Sequence, residues 1–156
     1  MIVSSAVLLD TNVIIDLFLQ RQPFVEDANT LVLLIEDGKL QASLCANTVT
    51  TVDYLLAGAL GKLAARGHIT RLLKTFDIAT VNRAVLHNAA ASNLKDFEDA
   101  VIAESAKASG IPTIITRNGK DFVGCGLNVY SPAEWLAASH LNCYLIHSSL
   151  RMNLLG

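Results

Sequence analysis

Ala6-Val7-Leu8-Leu9-Asp10-Thr11-Asn12-Val13 is the stretch from which the fold can be read. Four apolar residues in unbroken succession read as a strand buried on both faces, because a half-exposed strand alternates with polar residues. Asp10-Thr11-Asn12 ends that strand. Asn12 is a good N-cap for a helix through Leu19, in which Val13, Leu17 and neighbouring apolar residues recur at helical spacing.

The same alternation continues outward. Pro23 suits an early position in a second helix that Gly38 ends, and Leu40–Cys45 reads as the second strand. Asn47 or Thr48 then caps a long helix carrying Asp53, weakened or broken at Gly58 and Gly61. A basic amphipathic helix follows over 62–75, with Leu63, Ile69, Leu72 and Leu73 as its apolar side, and Phe76–Val81 forms the third strand. Asn82 opens a helix to about residue 91. Asp96 caps another over Phe97–Ser109, closed by Gly110 and Pro112. Thr113–Thr116 is the fourth strand, 117–121 is turn chemistry, Leu127–Tyr130 is a last strand, and Ser131-Pro132 starts a short helix containing Trp135. Strands alternating with helices predict an α/β domain around a largely parallel sheet. That domain is expected over residues 1–138. Residues 139–156 form an apolar tail without a helix boundary, which docks on the domain, joins a partner interface or is a ragged end.

Composition narrows the class. The chain of 156 residues is 52% hydrophobic and 17% charged, which excludes disorder as the main state, and it is long enough to enclose one core. No window approaches the ~18 apolar residues of a membrane span, and Asp10 interrupts the opening apolar run too early for a secretory signal. Cys45, Cys125 and Cys143 are odd in number, far apart and without a CxxC pair, so neither a disulfide framework nor a zinc knuckle is expected. These features predict a cytoplasmic protein without membrane contact. Net charge is only −2, but its distribution is uneven. Residues 1–61 hold Arg21 and Lys39 against seven carboxylates, whereas residues 62–83 hold five cations against Asp77. A basic segment beside an acidic one suits a phosphate backbone lying next to a metal pocket; it equally suits a solvated helix face.

The acids carry the chemistry. In open α/β sheets ligands collect beyond the carboxyl ends of the strands. Asp10 ends the first strand, Asp121 lies in the loop after the fourth, Asp99 is in the first turn of the helix opened by Asp96, and Asp53 lies about two turns beyond the second strand. Gathered at one rim, these carboxylates would repel each other and raise their pKa values. A hard divalent cation such as Mg²⁺ or Mn²⁺ removes that penalty. Glu98 is a candidate outer group, while Asp16 and Glu104 read as solvated helix charges. Each acid taken alone also has a structural explanation as a cap or turn residue; the joint pattern points to a site. GxSxG, GxxxxGK[ST] and HExxH are absent, and His68, His87, His140 and His147 show no paired spacing, so hydrolase-elbow, P-loop, zincin and histidine acid–base readings fail.

Leu8-Leu9-Asp10-Thr11-Asn12-Val13, Asn47-Thr48-Val49-Thr50-Thr51-Val52-Asp53, Phe97-Glu98-Asp99-Ala100 and Thr116-Arg117-Asn118-Gly119-Lys120-Asp121-Phe122, in that order, resemble the successive motifs of PIN domains. The closing Ser131–Leu136 is also similar, so the resemblance spans roughly residues 6–138. It implies a three-layer α/β/α sandwich around a mainly parallel sheet and Mg²⁺- or Mn²⁺-dependent cleavage of RNA. Asp10, Asp99 and Asp121 match the family's metal-site acids. Asp53 matches a position where many members carry glutamate, one methylene longer. Asn118 stands where some relatives are acidic, and Thr11, Asn12 and Thr116 would orient the carboxylates. Small members of this size resemble VapC-type toxins, which pair with an antitoxin and commonly form homodimers. Arg66, Arg71 and Lys74 are candidates for tracking RNA phosphates, with Arg117 and Lys120 nearer the rim. The rival expectations are a non-catalytic PIN-like module that binds RNA or protein, and a metal-dependent phosphatase. The latter is disfavoured because Asp10-Thr11-Asn12 lacks the second acid of a DxD pair.

Overall fold

Leu8 and its neighbours Val7 and Leu9 are all fully buried, but they belong to two different cores. Side chains alternate across a strand, so a strand buried on both faces must be covered twice. The computed structural model describes residues 6–139 and shows how. Strands β1 (Ala6–Leu9), β2 (Gln41–Cys45), β3 (Asp77–Ala79), β4 (Thr113–Ile115) and β5 (Asn128–Tyr130) form one sheet in the order β3-β2-β1-β4-β5. Every pairing is parallel; Leu8 stands opposite Ser43 on one side and Ile114 on the other.

Seven α-helices are described: α1 (Thr11–Phe18), α2 (Val25–Glu36), α3 (Ala46–Leu60), α4 (Lys62–Thr75), α5 (Arg83–Ala90), α6 (Phe97–Ala108) and α7 (Pro132–Ala138). Val7, Leu9, Ala42, Leu44 and Ile115 face α1, α2, α3, α4 and α7, with Ile14, Leu31, Leu34, Leu56 and Leu72 filling that core. Leu8, Ala79 and Ile114 face α5 and α6, against Val85, Ile102 and Ala106. The result is the expected three-layer α/β/α arrangement. Each fully buried aliphatic side chain contributes about 1.5–3 kcal/mol of transfer free energy. Among the described residues no helix is long and apolar enough to cross a membrane.

Element types follow the sequence closely; several helix starts do not. Asp10, not Asn12, caps α1: its carboxylate accepts from the Thr11 N–H at 2.7 Å, which leaves Asn12 inside the first turn with its amide free to reach β4. Pro23 lies before α2 rather than within it. The chain first turns through Gln20, whose φ is +53°, and the Arg21 N–H bonds the Asp16 carbonyl, so helical bonding resumes only when the Val25 N–H meets the Arg21 carbonyl. Helix α3 starts at Ala46, ahead of both expected caps, with Cys45 at the N-cap position and no side-chain cap. Gly61 alone separates α3 from α4, with φ +88°, a backbone state that other residues rarely adopt. The ends read from Asn82, Asp96 and Ser131 hold, the last as a complete capping box with Glu134. The apolar tail, apart from Ser139, and its His140, Cys143 and His147 fall outside the described residues.

Candidate active site

The strand order reverses direction at β1: the chain next builds β2 and β3 on one side and only later β4 and β5 on the other. Because all strands are parallel, the loops leaving β1 and β4 emerge side by side, and a crevice opens between them. Asp10 sits there, buried, its N–H bonded to the Ile115 carbonyl at 2.9 Å. Its Oδ1 takes the Thr11 N–H. Its Oδ2 accepts from the Thr116 hydroxyl at 2.7 Å and from the Asn12 amide at 3.0 Å. Asn12 in turn accepts the Arg117 N–H at 3.3 Å, and Thr116 Oγ1 accepts the Asn118 N–H at 3.0 Å. Thr11 bonds the buried Thr48 of α3 through their hydroxyls. Thr11, Asn12 and Thr116 therefore hydrogen-bond Asp10 or a group beside it.

Helix α6 brings in the next carboxylates. Asp96 caps it by accepting the Asp99 N–H, so Glu98 and Asp99 fall in the first turn, where the helix dipole favours negative charge. Asp10, Glu98, Asp99 and Asn118 line one cavity of about 260 Å³, together with Thr51, Leu55 and Arg21. Asp99 is also part of the wall of a second cavity of about 680 Å³, which holds Asp121, Lys95, Asp96 and Lys120. Asp121 lies on a 3₁₀ turn, Gly119–Phe122, anchored by the buried Phe122. Burial raises the Asp10 carboxyl above its ordinary value, against the bonds from Thr116 and Thr11 that lower it, and Glu98 and Asp121 add to the rise. Asp99 is pushed up to about 7, first by burial and then by the charges of Asp10, Asp96, Asp121 and Glu98.

Other predicted residues are not part of this assembly. Asp53 is a correction to the expected set: it faces α4, where its Oδ1 takes Arg66 Nε at 3.1 Å, and it lines neither cavity. A helix advances about 100° per residue, so the α3 residue facing the site is Thr51, three after the inward-facing Thr48. Thr51 donates to Glu98 Oε1 at 3.2 Å. Arg66 is thereby committed to Asp53. Arg71 meets His68 Nδ1 at 2.7 Å and lines a separate cavity with Phe18 and Glu36, and Lys74 lies exposed on the last turn of α4. Arg117 is a second correction. It forms a two-pronged pair with Asp16, which is 1% exposed and no solvated charge, and its guanidinium covers the Phe24 ring at 4.1 Å from the centroid. Lys120 stays at the rim, beside Asp121. Sequence reading missed Thr51, Arg21 and Lys95. The spacing of three from Thr48 is a signal for the first; Arg21 and Lys95 belong to no motif.

The PIN domain profile matches residues 6–120, well over half of the chain. The chain belongs to the PIN domain family. No curated protein sequence matches it significantly. Among solved structures, this PIN domain is similar to a toxin–antitoxin complex from Klebsiella pneumoniae, with 28% identity, TM-score 0.61, and 81% of this chain and 97% of that one covered. VapBC-1 from nontypeable Haemophilus influenzae gives 19% identity and TM-score 0.63 over 82% and 98% of the two chains. FitAcB from Neisseria gonorrhoeae gives 22% and 0.58 over 81% and 98%. The last two show a shared fold.

PIN domains generally use divalent metal ions. The acids at the rim fit one chemically, since they offer carboxylate oxygens, with the amide of Asn118 beside them and no sulfur or imidazole among the described lining residues. Among the described residues, no three Asp, Glu, His or Cys side chains are gathered tightly enough to hold an ion by themselves. Mg²⁺ keeps several waters and takes one or two carboxylates plus substrate phosphate, so it does not require three protein ligands.

Proposed function

We propose that this PIN domain is a Mg²⁺- or Mn²⁺-dependent endoribonuclease that hydrolyses RNA phosphodiester bonds, and that it is the toxin of a type II toxin–antitoxin pair. The observation that carries the nuclease reading is the meeting of Asp10, Glu98, Asp99 and Asp121, from three distant chain segments, around two cavities that share Asp99. The toxin reading is supported by the Klebsiella pneumoniae complex, similar over 81% of this chain. A cognate antitoxin, a homodimeric state and a cytoplasmic setting belong to the same reading.

Asp10 and Asp99 would hold the ion, with Asp121 directly or through water and Glu98 behind them. The ion would polarise the phosphoryl group and acidify the attacking water, so no nucleophilic side chain is needed. Asp10 is suited to its part because three donors fix both of its oxygens before any ligand arrives. Thr51 holds Glu98 from α3. Asp53 has no part in the metal set.

The test is a Mn²⁺ titration read by melting temperature, alongside cleavage of a single-stranded oligoribonucleotide. Binding should stabilise the protein by about 2.7 kcal/mol at a hundredfold excess over Kd. Asp10→Asn should lose both the shift and the cleavage. Normal cleavage by that variant, or hydrolysis of a small phosphate ester instead of RNA, overturns the reading.

A further inference from the structure

Arg21 lines the 260 Å³ cavity beside Asp10, Glu98 and Asp99, and among the described residues it is the one cation there. Its backbone is fixed on both sides. The Arg21 N–H bonds the Asp16 carbonyl at 3.0 Å and its own carbonyl takes the Val25 N–H at 2.8 Å. Three residues on, Phe24 lies under the Arg117 guanidinium, and Arg117 is paired with the buried Asp16. The loop carrying Arg21 is thus tied to the loop carrying Asn118, which lines the same cavity.

A guanidinium in an acidic cavity serves either as counter-ion to the acids or as a partner for an anion that enters. Among the described residues Arg21 forms no ion pair within 4 Å, whereas Arg66 and Arg117 each do. The second option remains. On the far side of Asp99, the larger cavity places Lys95 and Lys120 beside Asp121. Cations therefore flank the carboxylates on two sides, which matches an anion extended through both cavities, with negative charge on either side of the reacting centre. A planar guanidinium fork suits two non-bridging phosphate oxygens.

We propose that Arg21 is a substrate-binding residue that grips a phosphate flanking the scissile one, so that a single strand runs from Arg21 past Asp99 to Lys95 and Lys120 and is cut internally. This inference rests on the nuclease reading and adds to it the path of the strand.

The experiment measures Mn²⁺-dependent cleavage and fluorescence-anisotropy binding of a labelled single-stranded oligoribonucleotide as salt is varied. Arg21→Ala should raise KM by about tenfold, as befits a lost charged hydrogen bond, with a smaller change in kcat. The slope of log Kd against log salt should fall by about 0.7, one phosphate contact fewer. Arg21→Lys should restore the salt slope and only part of the affinity. Lys62→Ala removes the same charge from the exposed start of α4 and should move neither quantity. With a dinucleotide, which has no flanking phosphate, the penalty of Arg21→Ala should shrink below about threefold. Unchanged KM and salt slope in Arg21→Ala overturn the assignment. So does tighter Mn²⁺ binding in that variant, read by melting temperature, because it would make Arg21 the acids' counter-ion. If Asp99→Asn cleaves as fast as the wild type, the nuclease reading itself falls; if Asp99→Asn is dead while Arg21→Ala is unaltered, only the strand path does.

Discussion

Two arginine–aspartate pairs, one at the rim of the sheet and one on the α3–α4 ridge, use the same groups to different ends. At the rim, Asp16 is 1% exposed and Arg117 23%, and the pair locks helix α1 to the loop after β4. On the ridge, Arg66 is 76% exposed and Asp53 28%, and the pair joins two consecutive helices that Gly61 already holds together. Solvent screens the second pair and barely reaches the first. The buried pair joins two segments that line the site, whereas the exposed pair lines neither of its cavities, although the sequence favours the opposite reading of both aspartates.

The largest expected contrast lies between the two carboxylates first assigned to one site. Asp10→Asn should lower Mn²⁺-dependent cleavage on the order of 10²–10³-fold, measured by single-turnover kinetics, whereas Asp53→Asn should stay within about threefold. Equal losses would restore Asp53 to the site and dissolve the distinction between rim and ridge. Next in size is the stability difference between the pairs. Arg117→Met strands the buried Asp16 charge and should cost about 3 kcal/mol in denaturant unfolding, while Arg66→Met should cost less than about 1 kcal/mol.

A third expectation concerns pH. Asp99 titrates at about 7 in the fold against an ordinary 3.8, so the native state keeps a proton that the unfolded chain has lost. Stability of the metal-free protein from this group is therefore highest below about pH 4 and falls as pH rises toward 7. Asp99→Asn should raise the melting temperature of the metal-free protein at pH 8 by roughly 2–4 °C over its effect at pH 5. The wild-type affinity for Mn²⁺ should climb with pH up to about 7 and then level, because the ion displaces that proton. The smallest effect is expected from Thr51→Val. It removes the Glu98 hydrogen bond and should weaken Mn²⁺ binding by no more than about tenfold, read by titration of the melting temperature.

Much of this molecule is legible along the chain. The unbroken apolar run at β1, the caps at Asn82, Asp96 and Ser131, and the order of the acidic motifs specify a parallel α/β domain with carboxylates near its strand ends, because local hydrogen bonding and burial set those features within a few residues. The errors fall where angular phase or distant partners decide. Asp53 and Thr51 differ by two positions, about 200° around a helix, so a shift of two turns a ligand candidate away from the site. Asp16 looks solvated until a residue 101 positions later is folded against it. Arg21 carries no local signal at all, since its place in the acidic cavity depends on a turn through Gln20 and a loop clamped from β4.

The sequence by itself determined the elements, the layered class and the supply of oxygen donors, all of which follow from short-range periodicity and side-chain chemistry. The tertiary structure alone decided which carboxylates meet and which cation faces them. Those outcomes depend on helix rotation and long-range docking, where a few ångströms in space separate groups that stand tens of residues apart in the chain.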